Sequence, residues 1–186
     1  QILLLNNDTI VTTGWLERLI DVLRSAPDIG MVGPCSNAVS GSQKVPADYR
    51  DLSCLDGFAW EWARKHRSLI EQTDRLVGFC LLIRRELIDI VGLLDEQFGM
   101  GCFEDDDLCR RAHEAGYRTV IAREAFVHHF GSVTFRATGA DFAGLMHENQ
   151  QKFEAKWSGR DHSQSAASLD ATQAEPVLPP PALEYQ

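Results

Sequence analysis

Short apolar runs alternate with helical repeats along most of the chain, and this alternation predicts strands and helices in turn. The chain opens on Ile2 to Leu5, a continuous apolar run typical of a strand buried on both faces of a sheet. Leucine and isoleucine then recur at helical spacing over residues 16–23, up to Pro27, whose ring cannot continue a helix. The remaining pattern predicts strands at 29–33, 76–83, 117–122 and 125–128, and helices at 60–70, 85–91, 105–115 and 141–157.

Three segments lack this periodicity. Residues 34–57 are rich in Pro, Gly, Ser and Asn, which predicts a long loop, and loops of that length often carry function. Residues 98–103 are rich in glycine, which predicts a mobile connection. From Ser158 onward no apolar face remains, so we predict one domain over residues 1–157 and a disordered tail or linker over residues 158–186.

The alternation of strands and helices predicts an α/β fold with a mostly parallel sheet flanked by helices. In such a sheet a buried first strand needs neighbouring strands, and upstream sequence would normally supply some of them. We therefore expect the chain to be the C-terminal part of a domain whose N-terminal strands are missing.

Composition narrows the class of protein. With 186 residues, 44% of them hydrophobic and 24% charged, the chain has the make-up of a soluble globular domain. A net charge of −9 argues against nucleic acid as a partner. No apolar run reaches the ~20 residues of a transmembrane helix, and no signal-peptide pattern opens the chain. We expect a cytoplasmic protein or one associated peripherally with the inner face of the membrane.

The first candidate for chemistry is the tripeptide Asn6-Asn7-Asp8, directly after the first predicted strand. Ligands of open α/β sheets bind beyond the carboxyl ends of the strands. A carboxylate there can hold Mg²⁺ or Mn²⁺, and such a cation can bind a diphosphate. Asn and Asp also close turns with their own side chains, so an Asx turn is the alternative interpretation.

The second candidate is the run of four carboxylates Glu104-Asp105-Asp106-Asp107, at the start of a predicted helix. Their mutual repulsion calls for a cation or for the positive end of a helix dipole. Acidic residues are common in a first helical turn, but four exceed what capping requires. Glu104 or Asp105 is a candidate general base for an acceptor hydroxyl. Asp107, which precedes an apolar stripe, is a candidate for orienting its neighbours or capping the helix.

The third candidate is the pair His128-His129, at the end of the last predicted strand. Adjacent strand residues point to opposite faces, so at most one of the two is expected to face a site. A neutral imidazole can complete the shell of a divalent metal. A histidine bonded only within the protein is the alternative.

Four segments closely resemble family 2 glycosyltransferases of the GT-A fold. They are LLLNNDTIVTTGWLERLIDVL, GFCLLIRRELIDIVGLLDEQFG, FEDDDLCRRAHEAGYRTV and FVHHFGSVTF. Their order and spacing also match, from residue 2 to about residue 135. The resemblance implies a partial GT-A domain, without the N-terminal strands that hold the nucleotide base and ribose in this family.

The resemblance also implies a role for each cluster. Asp8 stands for the retained carboxylate of a D-x-D-type metal motif in which Asn6 replaces the first acid. Asp105 stands at the family's Glu-Asp motif and is implied as the catalytic base. His129 matches the metal-site histidine, although a shift of one residue would place His128 there. The implied donor- or acceptor-binding residues are Asn6, Asn7, Gly78, Phe79, Asp107 and Trp60.

By this resemblance the reaction is an inverting transfer of a sugar, assisted by Mg²⁺ or Mn²⁺. The implied partners are a nucleotide-sugar donor and a glycan, polysaccharide or lipid-linked acceptor, as in bacterial cell-envelope assembly. Without the missing strands, the chain by itself is expected to be inactive. Two alternatives stay open: a non-catalytic nucleotide-sugar-binding module, and another metal-dependent enzyme such as a nucleotidyltransferase or phosphohydrolase.

Overall fold

The computed structural model describes residues 1–99, 101–131 and 141–159. Its strands are β1 (Ile2–Leu5), β2 (Thr9–Val11), β3 (Ile29–Cys35), β4 (Ile70–Thr73), β5 (Cys80–Ile83) and β6 (Arg118–His129). Its helices are α1 (Trp15–Ser25), α2 (Leu55–Lys65), α3 (Arg85–Val91), α4 (Glu104–Glu114) and α5 (Phe142–Trp157). Short 3-10 turns lie at Gly41–Gln43, Leu52–Cys54 and Glu96–Phe98.

The described strands form one six-stranded sheet in the order β1-β5-β3-β6-β2, with β4 also paired to β6. Strands β3 and β6 run parallel, whereas β5 runs antiparallel to both of its neighbours, and β2 and β4 run antiparallel to β6. The α/β class is therefore confirmed, but the predicted mostly parallel sheet is wrong for these strands. The reason is that an apolar run indicates burial and carries no information on strand direction.

Strand β1 lies at one end of the sheet order. Ile2 and Leu4 pack against the core, whereas Leu3 and Leu5 are about two-fifths exposed. The prediction of a strand buried on both faces is thus wrong for β1, because in the described part of the chain only β5 pairs with it.

Helices cover both faces of the sheet. Leu19 and Leu23 of α1 pack with Val32, while Met31, the preceding residue of β3, packs with helices α2, α3 and α4 on the other face. Neighbouring strand residues point to opposite faces, so this alternation defines two apolar layers. The described part of the chain is a helix–sheet–helix arrangement with two cores.

Two of the predicted segments differ from the elements in the structure. Helix α2 occupies Leu55–Lys65 rather than 60–70, because the backbone turns at Ser68 with φ 58° and the chain then enters β4. Residues 118–129 form one strand rather than two. The register with β3 shifts after Ala122. This irregularity accommodates the polar residues that interrupt the apolar pattern, so the strand continues through them.

The predicted tail, apart from its first two residues, lies outside the described residues, as do Ser132 and Thr134 of the histidine segment. The division into domains at residue 157 therefore stays a prediction. Among the described helices, none combines the length and apolar character needed to cross a membrane.

Candidate active site

A cleft of about 930 Å³ opens at the sheet edge where β6 ends and β5 begins. A smaller cavity of about 420 Å³ adjoins it beside β1. This position beyond strand ends is where open α/β sheets bind ligands. Four residues line both cavities: Asn6, Gly78, Glu104 and Asp105.

Asp8 and His129 are brought together by the antiparallel pairing of β2 with β6, in which Thr9 lies opposite His129. The backbone carbonyl of Asp8 also accepts a hydrogen bond from the Phe130 amide at 3.0 Å. As a result the Nε2 atom of His129 lies 3.2 Å from Oδ1 of Asp8, and both side chains are about nine-tenths buried.

The contacts of His129 define which of its ring nitrogens is free. Nδ1 lies 2.8 Å from the carbonyl oxygen of Ala38, which can only accept, so Nδ1 carries the proton of the neutral ring. Nε2 then presents a lone pair, and this buried atom has no hydrogen bond to any described residue. The 3.2 Å approach to Asp8 satisfies an ion-pair distance but not hydrogen-bond geometry. A lone pair facing a carboxylate repels it, and a proton or a cation between the two relieves the repulsion.

Asn37, the second residue after β3, fixes the backbone of His129. Its Oδ1 accepts from the His129 amide at 2.9 Å, and its Nδ2 donates to the His129 carbonyl at 3.1 Å. The ring of Phe79 stacks on the His129 ring, with centroids 5.2 Å apart. The sequence analysis did not identify Asn37.

Asp105 lies in the first turn of α4 and is buried at the junction of the two cavities. Its Oδ2 accepts from the Gly78 amide at 2.7 Å, and its Oδ1 accepts from the Asp106 amide at 2.9 Å. A Cβ at position 78 would stand 3.4 Å from Oδ2, so glycine allows this close approach. Both carboxylate oxygens are therefore oriented by backbone donors, with their remaining lone pairs available to a ligand.

Glu104 precedes Asp105 and has a different environment. Burial, and secondarily the charge of Asp105, raise the pKa of the Glu104 carboxyl to about 7. Its Oε2 atom is buried without a hydrogen-bond partner among the described residues. Near neutral pH this side chain can thus hold a proton in the cleft beside an oriented carboxylate.

We predict that Glu104→Gln flattens the dependence of stability on pH. A folded-state pKa of about 7 against an ordinary 4.5 means that the proton stabilises the folded protein below about pH 4.5. That stabilisation is lost as pH rises through about 7, and glutamine has no proton to lose. Urea unfolding at about pH 5 and about pH 8.5 should show the variant gaining about 1–2 kcal/mol relative to the wild type at the higher pH, a figure reduced for solvent screening. An equal difference at both pH values would contradict the burial of this group.

Two basic residues that the sequence analysis did not identify also line the cleft. Arg75 donates through Nε to the Asp106 carboxylate and through Nη1 to the Ser40 hydroxyl at 2.8 Å. It thereby links the start of α4 to the loop after β3. Lys44 lines the same cleft and is exposed. Their positive charge partly offsets the acids of α4, which suits an anionic ligand.

His128 faces away from Asp8. Its Nδ1 is hydrogen-bonded to the Tyr49 hydroxyl, and its ring packs edge-on against Phe130. His128 lines neither cavity, whereas His129 lines the larger one. Burial lowers the pKa of the His128 ring, which disfavours its charged form. The structure therefore pairs His129, and not His128, with the carboxylate of Asp8.

Three other predicted residues are not brought to the cleft. Asp107 is fully buried and bonds to Arg111 at 2.8 Å and to the Trp157 indole at 3.1 Å, so it joins α4 to α5 instead of facing a ligand. Trp60 stands 64% exposed on α2 and lines neither cavity. Asn7 is exposed in the turn before β2 and lines neither cavity.

The described residues contain no group of three or more His, Cys, Asp or Glu side chains that could hold a metal ion by themselves. Asp8 provides a carboxylate, which suits Mg²⁺ or Mn²⁺, and His129 provides a neutral imidazole, which can complete the shell of a divalent metal. A cation held there would take its remaining ligands from water or from phosphate oxygens. Such a shared shell is usual where a metal binds a nucleotide.

Comparison with known proteins identifies the family to which the chain belongs. The profile of the family described as Glycosyltransferase like family 2 matches residues 1–151. An uncharacterised protein of Mycobacterium tuberculosis is 31% identical over 134 residues, which are 70% of this chain and 46% of that protein. An N-acetylglucosaminyl-diphospho-decaprenol L-rhamnosyltransferase of the same species is 29% identical over 154 residues, which are 75% of this chain and 49% of the enzyme.

The chain thus spans about half the length of these two mycobacterial relatives. A protein of Sinorhizobium fredii is 27% identical over 139 residues, which are 70% of this chain and 15% of that much longer protein. The family match covers all four segments on which the resemblance rested. The chain belongs to the glycosyltransferase-like family 2.

Proposed function

We propose that the full-length protein transfers a sugar from a nucleotide-sugar donor to a hydroxyl group of an acceptor, with inversion at the anomeric carbon. The observation that carries this proposal is a single cleft lined by the oriented carboxylate of Asp105 and by His129, whose free Nε2 faces Asp8. A carboxylate can remove the acceptor proton, and a cation held by a ligand pair can stabilise the leaving group, so both suit a direct displacement at a sugar carbon.

In this proposal Asp105 is the general base. Its two backbone hydrogen bonds fix the carboxylate at the junction of the cavities, where an acceptor hydroxyl can reach it. The hydroxyl oxygen attacks the anomeric carbon as its proton passes to Asp105, and the bond from that carbon to the nucleoside diphosphate breaks. Glu104 is the less suitable base of the pair. Its pKa of about 7 leaves it partly protonated near neutral pH, and its Oε2 has no hydrogen-bond partner among the described residues to orient it.

Asp8 and His129 are proposed to hold Mg²⁺ or Mn²⁺. The fit rests on the buried, unpartnered Nε2 of His129 and on its approach to the Asp8 carboxylate. A divalent cation there would stabilise the negative charge that develops on the departing diphosphate. Asn37 and Phe79 keep the imidazole oriented toward Asp8 by the contacts described above.

For the acceptor we propose a glycan or lipid-linked glycan. The named mycobacterial relative is, by its name, a rhamnosyltransferase acting on a diphospho-decaprenol acceptor. Lys44 and Arg75 in the cleft are compatible with an anionic group of this kind. Apolar side chains of α5, Phe142, Met146 and Phe153, line the same cleft.

The proposal is tested by incubating the full-length protein with a panel of nucleotide sugars and Mn²⁺, and by measuring nucleoside diphosphate release with and without candidate acceptors. We expect release from one or few donors, stimulation by acceptor, and loss of release on chelation. Metal-dependent donor binding without any turnover would instead favour a non-catalytic nucleotide-sugar-binding module. Transfer of a nucleotide, or release of free sugar regardless of acceptor, would contradict glycosyl transfer.

A further inference from the structure

The segment before α4 has an unusual backbone. Cys102 and Phe103 adopt φ values of 71° and 74°, a left-handed conformation that side-chain-bearing residues rarely take. Gly99 and Gly101 in the same segment also have positive φ. Two consecutive residues in this region cost free energy that the surrounding structure must offset.

The side chain of Asn149 on α5 meets this segment. Its Nδ2 donates toward three backbone carbonyls, those of Phe98 at 2.7 Å, Gly101 at 2.8 Å and Cys102 at 3.1 Å. Its Oδ1 accepts from the Lys152 ammonium at 3.1 Å. The amide is fully buried, and each of its two ends has partners of the correct type.

Asn149 is the polar exception on an apolar stripe. Phe142, Met146 and Phe153, at helical spacing with it on α5, all line the cleft. A buried amide among such residues is unfavourable unless its hydrogen bonds are made. Its three carbonyl partners therefore account for the presence of asparagine there.

The segment that Asn149 holds leads directly into the base. Phe103 caps α4, since its carbonyl accepts from the Asp107 amide at 2.9 Å, and Asp105 is the second residue of the helix. The ring of Phe103 also contacts that of Phe153 on α5, with centroids 5.6 Å apart. The position of Asp105 thus depends on a backbone that Asn149 fixes only three residues earlier.

We propose that Asn149 is a positioning residue that holds Asp105 in its working place through the backbone of Phe98, Gly101 and Cys102. This inference rests on the proposed function, in which Asp105 is the base. The attachment of α5 itself does not depend on Asn149, because Trp157 and Lys156 bond to the Asp107 carboxylate at 3.1 Å and 2.7 Å. Asn149 variants are accordingly expected to fold.

The test compares Asn149→Asp, Asn149→Ala and the matched control Gln151→Glu in the full-length protein. Aspartate at position 149 is nearly isosteric with asparagine but turns an oxygen toward three carbonyls. Gln151→Glu replaces an amide by a carboxylate on the same helix, at an exposed position. We expect kcat to fall about 10–100-fold in both Asn149 variants, with the KM for the donor changed less than about threefold. The control should match the wild type.

Hydrogen exchange gives a second readout that does not need turnover. Amides of residues 103–109 should exchange at least about tenfold faster in the Asn149 variants, whereas those of residues 127–130 should keep wild-type rates. Unchanged kcat, or unchanged exchange at residues 103–109, would overturn the proposal. Faster exchange throughout the protein, or failure of both variants to fold, would also overturn it by making Asn149 a general stability residue. If the wild type transfers no sugar, the proposed function fails, and exchange alone decides whether Asn149 holds this segment.

Discussion

Replacing Asp105 by asparagine in the full-length protein should lower kcat by about 1,000-fold and leave donor affinity within about threefold. The loss follows from chemistry, because an amide cannot take the proton of an acceptor hydroxyl at neutral pH. Donor affinity is expected to survive because the proposed cation ligands lie elsewhere, Asp8 in the turn before β2 and His129 at the end of β6, and neither hydrogen-bonds to Asp105.

The structure also defines how conservative that substitution is. Both oxygens of Asp105 accept backbone hydrogen bonds, from Gly78 at 2.7 Å and from Asp106 at 2.9 Å. Asparagine retains one acceptor and turns an N–H group toward the other donor, so one bond is lost. We expect a stability loss of about 1–2 kcal/mol from this mismatch, and thermal unfolding measures it separately from kcat.

Asp89→Asn is the matched control, since Asp89 is an exposed carboxylate on α3 that lines neither cavity. It should transfer sugar at the wild-type rate. A variant Asp105→Asn that keeps more than about one-tenth of wild-type kcat would remove Asp105 from the role of base. Glu104, the other carboxylate shared by both cavities, would then be the residue to test.

Features that depend only on neighbouring residues in the sequence, such as the start of a helix, could be predicted. The acidic run at residues 104–107 indicated a helix start, and α4 begins at Glu104. The resemblance implied that Asp8 and His129 belong to one metal site, and the structure brings their side chains to 3.2 Å of each other. Because adjacent strand residues face opposite ways, the sequence predicts that only one of the two histidines faces the site. Which of them faces Asp8 is decided by the register of β2 on β6, which the sequence pattern does not give.

Features that depend on distant partners could not be predicted. Asn37 and Asn149 act on residues 92 and 47–51 positions away, and an isolated asparagine in sequence predicts only a turn or a surface. The direction of β5 depends on which strands it enters between, and its apolar residues would be the same in either direction. The apolar stripe after Asp107 set it apart from its acidic neighbours, but its partner Trp157, 50 residues away, could not be identified from the sequence.

Substituting alanine for His129 and, separately, for His128 should distinguish an effect on metal-dependent donor affinity from an effect on stability. We expect His129→Ala to weaken Mn²⁺-dependent binding of the nucleotide sugar by about 100-fold, because it removes one of the two protein ligands proposed for the cation. His128→Ala should leave that affinity within about threefold, since its ring bonds to Tyr49 on the other face of the strand. Titration calorimetry with the full-length protein, with Mn²⁺ and with chelator, measures both.

The stability of the two variants is measured as well. Because both rings are buried, both substitutions should lower the free energy of unfolding by about 1–3 kcal/mol. Only the effect on metal-dependent affinity is expected to differ, so a general loss of folding cannot imitate the result. Donor binding measured in chelator should be the same for both variants. If His128→Ala instead weakens the Mn²⁺-dependent part, then the cation is held on the face that Tyr49 occupies, and the pairing of Asp8 with His129 serves the fold alone.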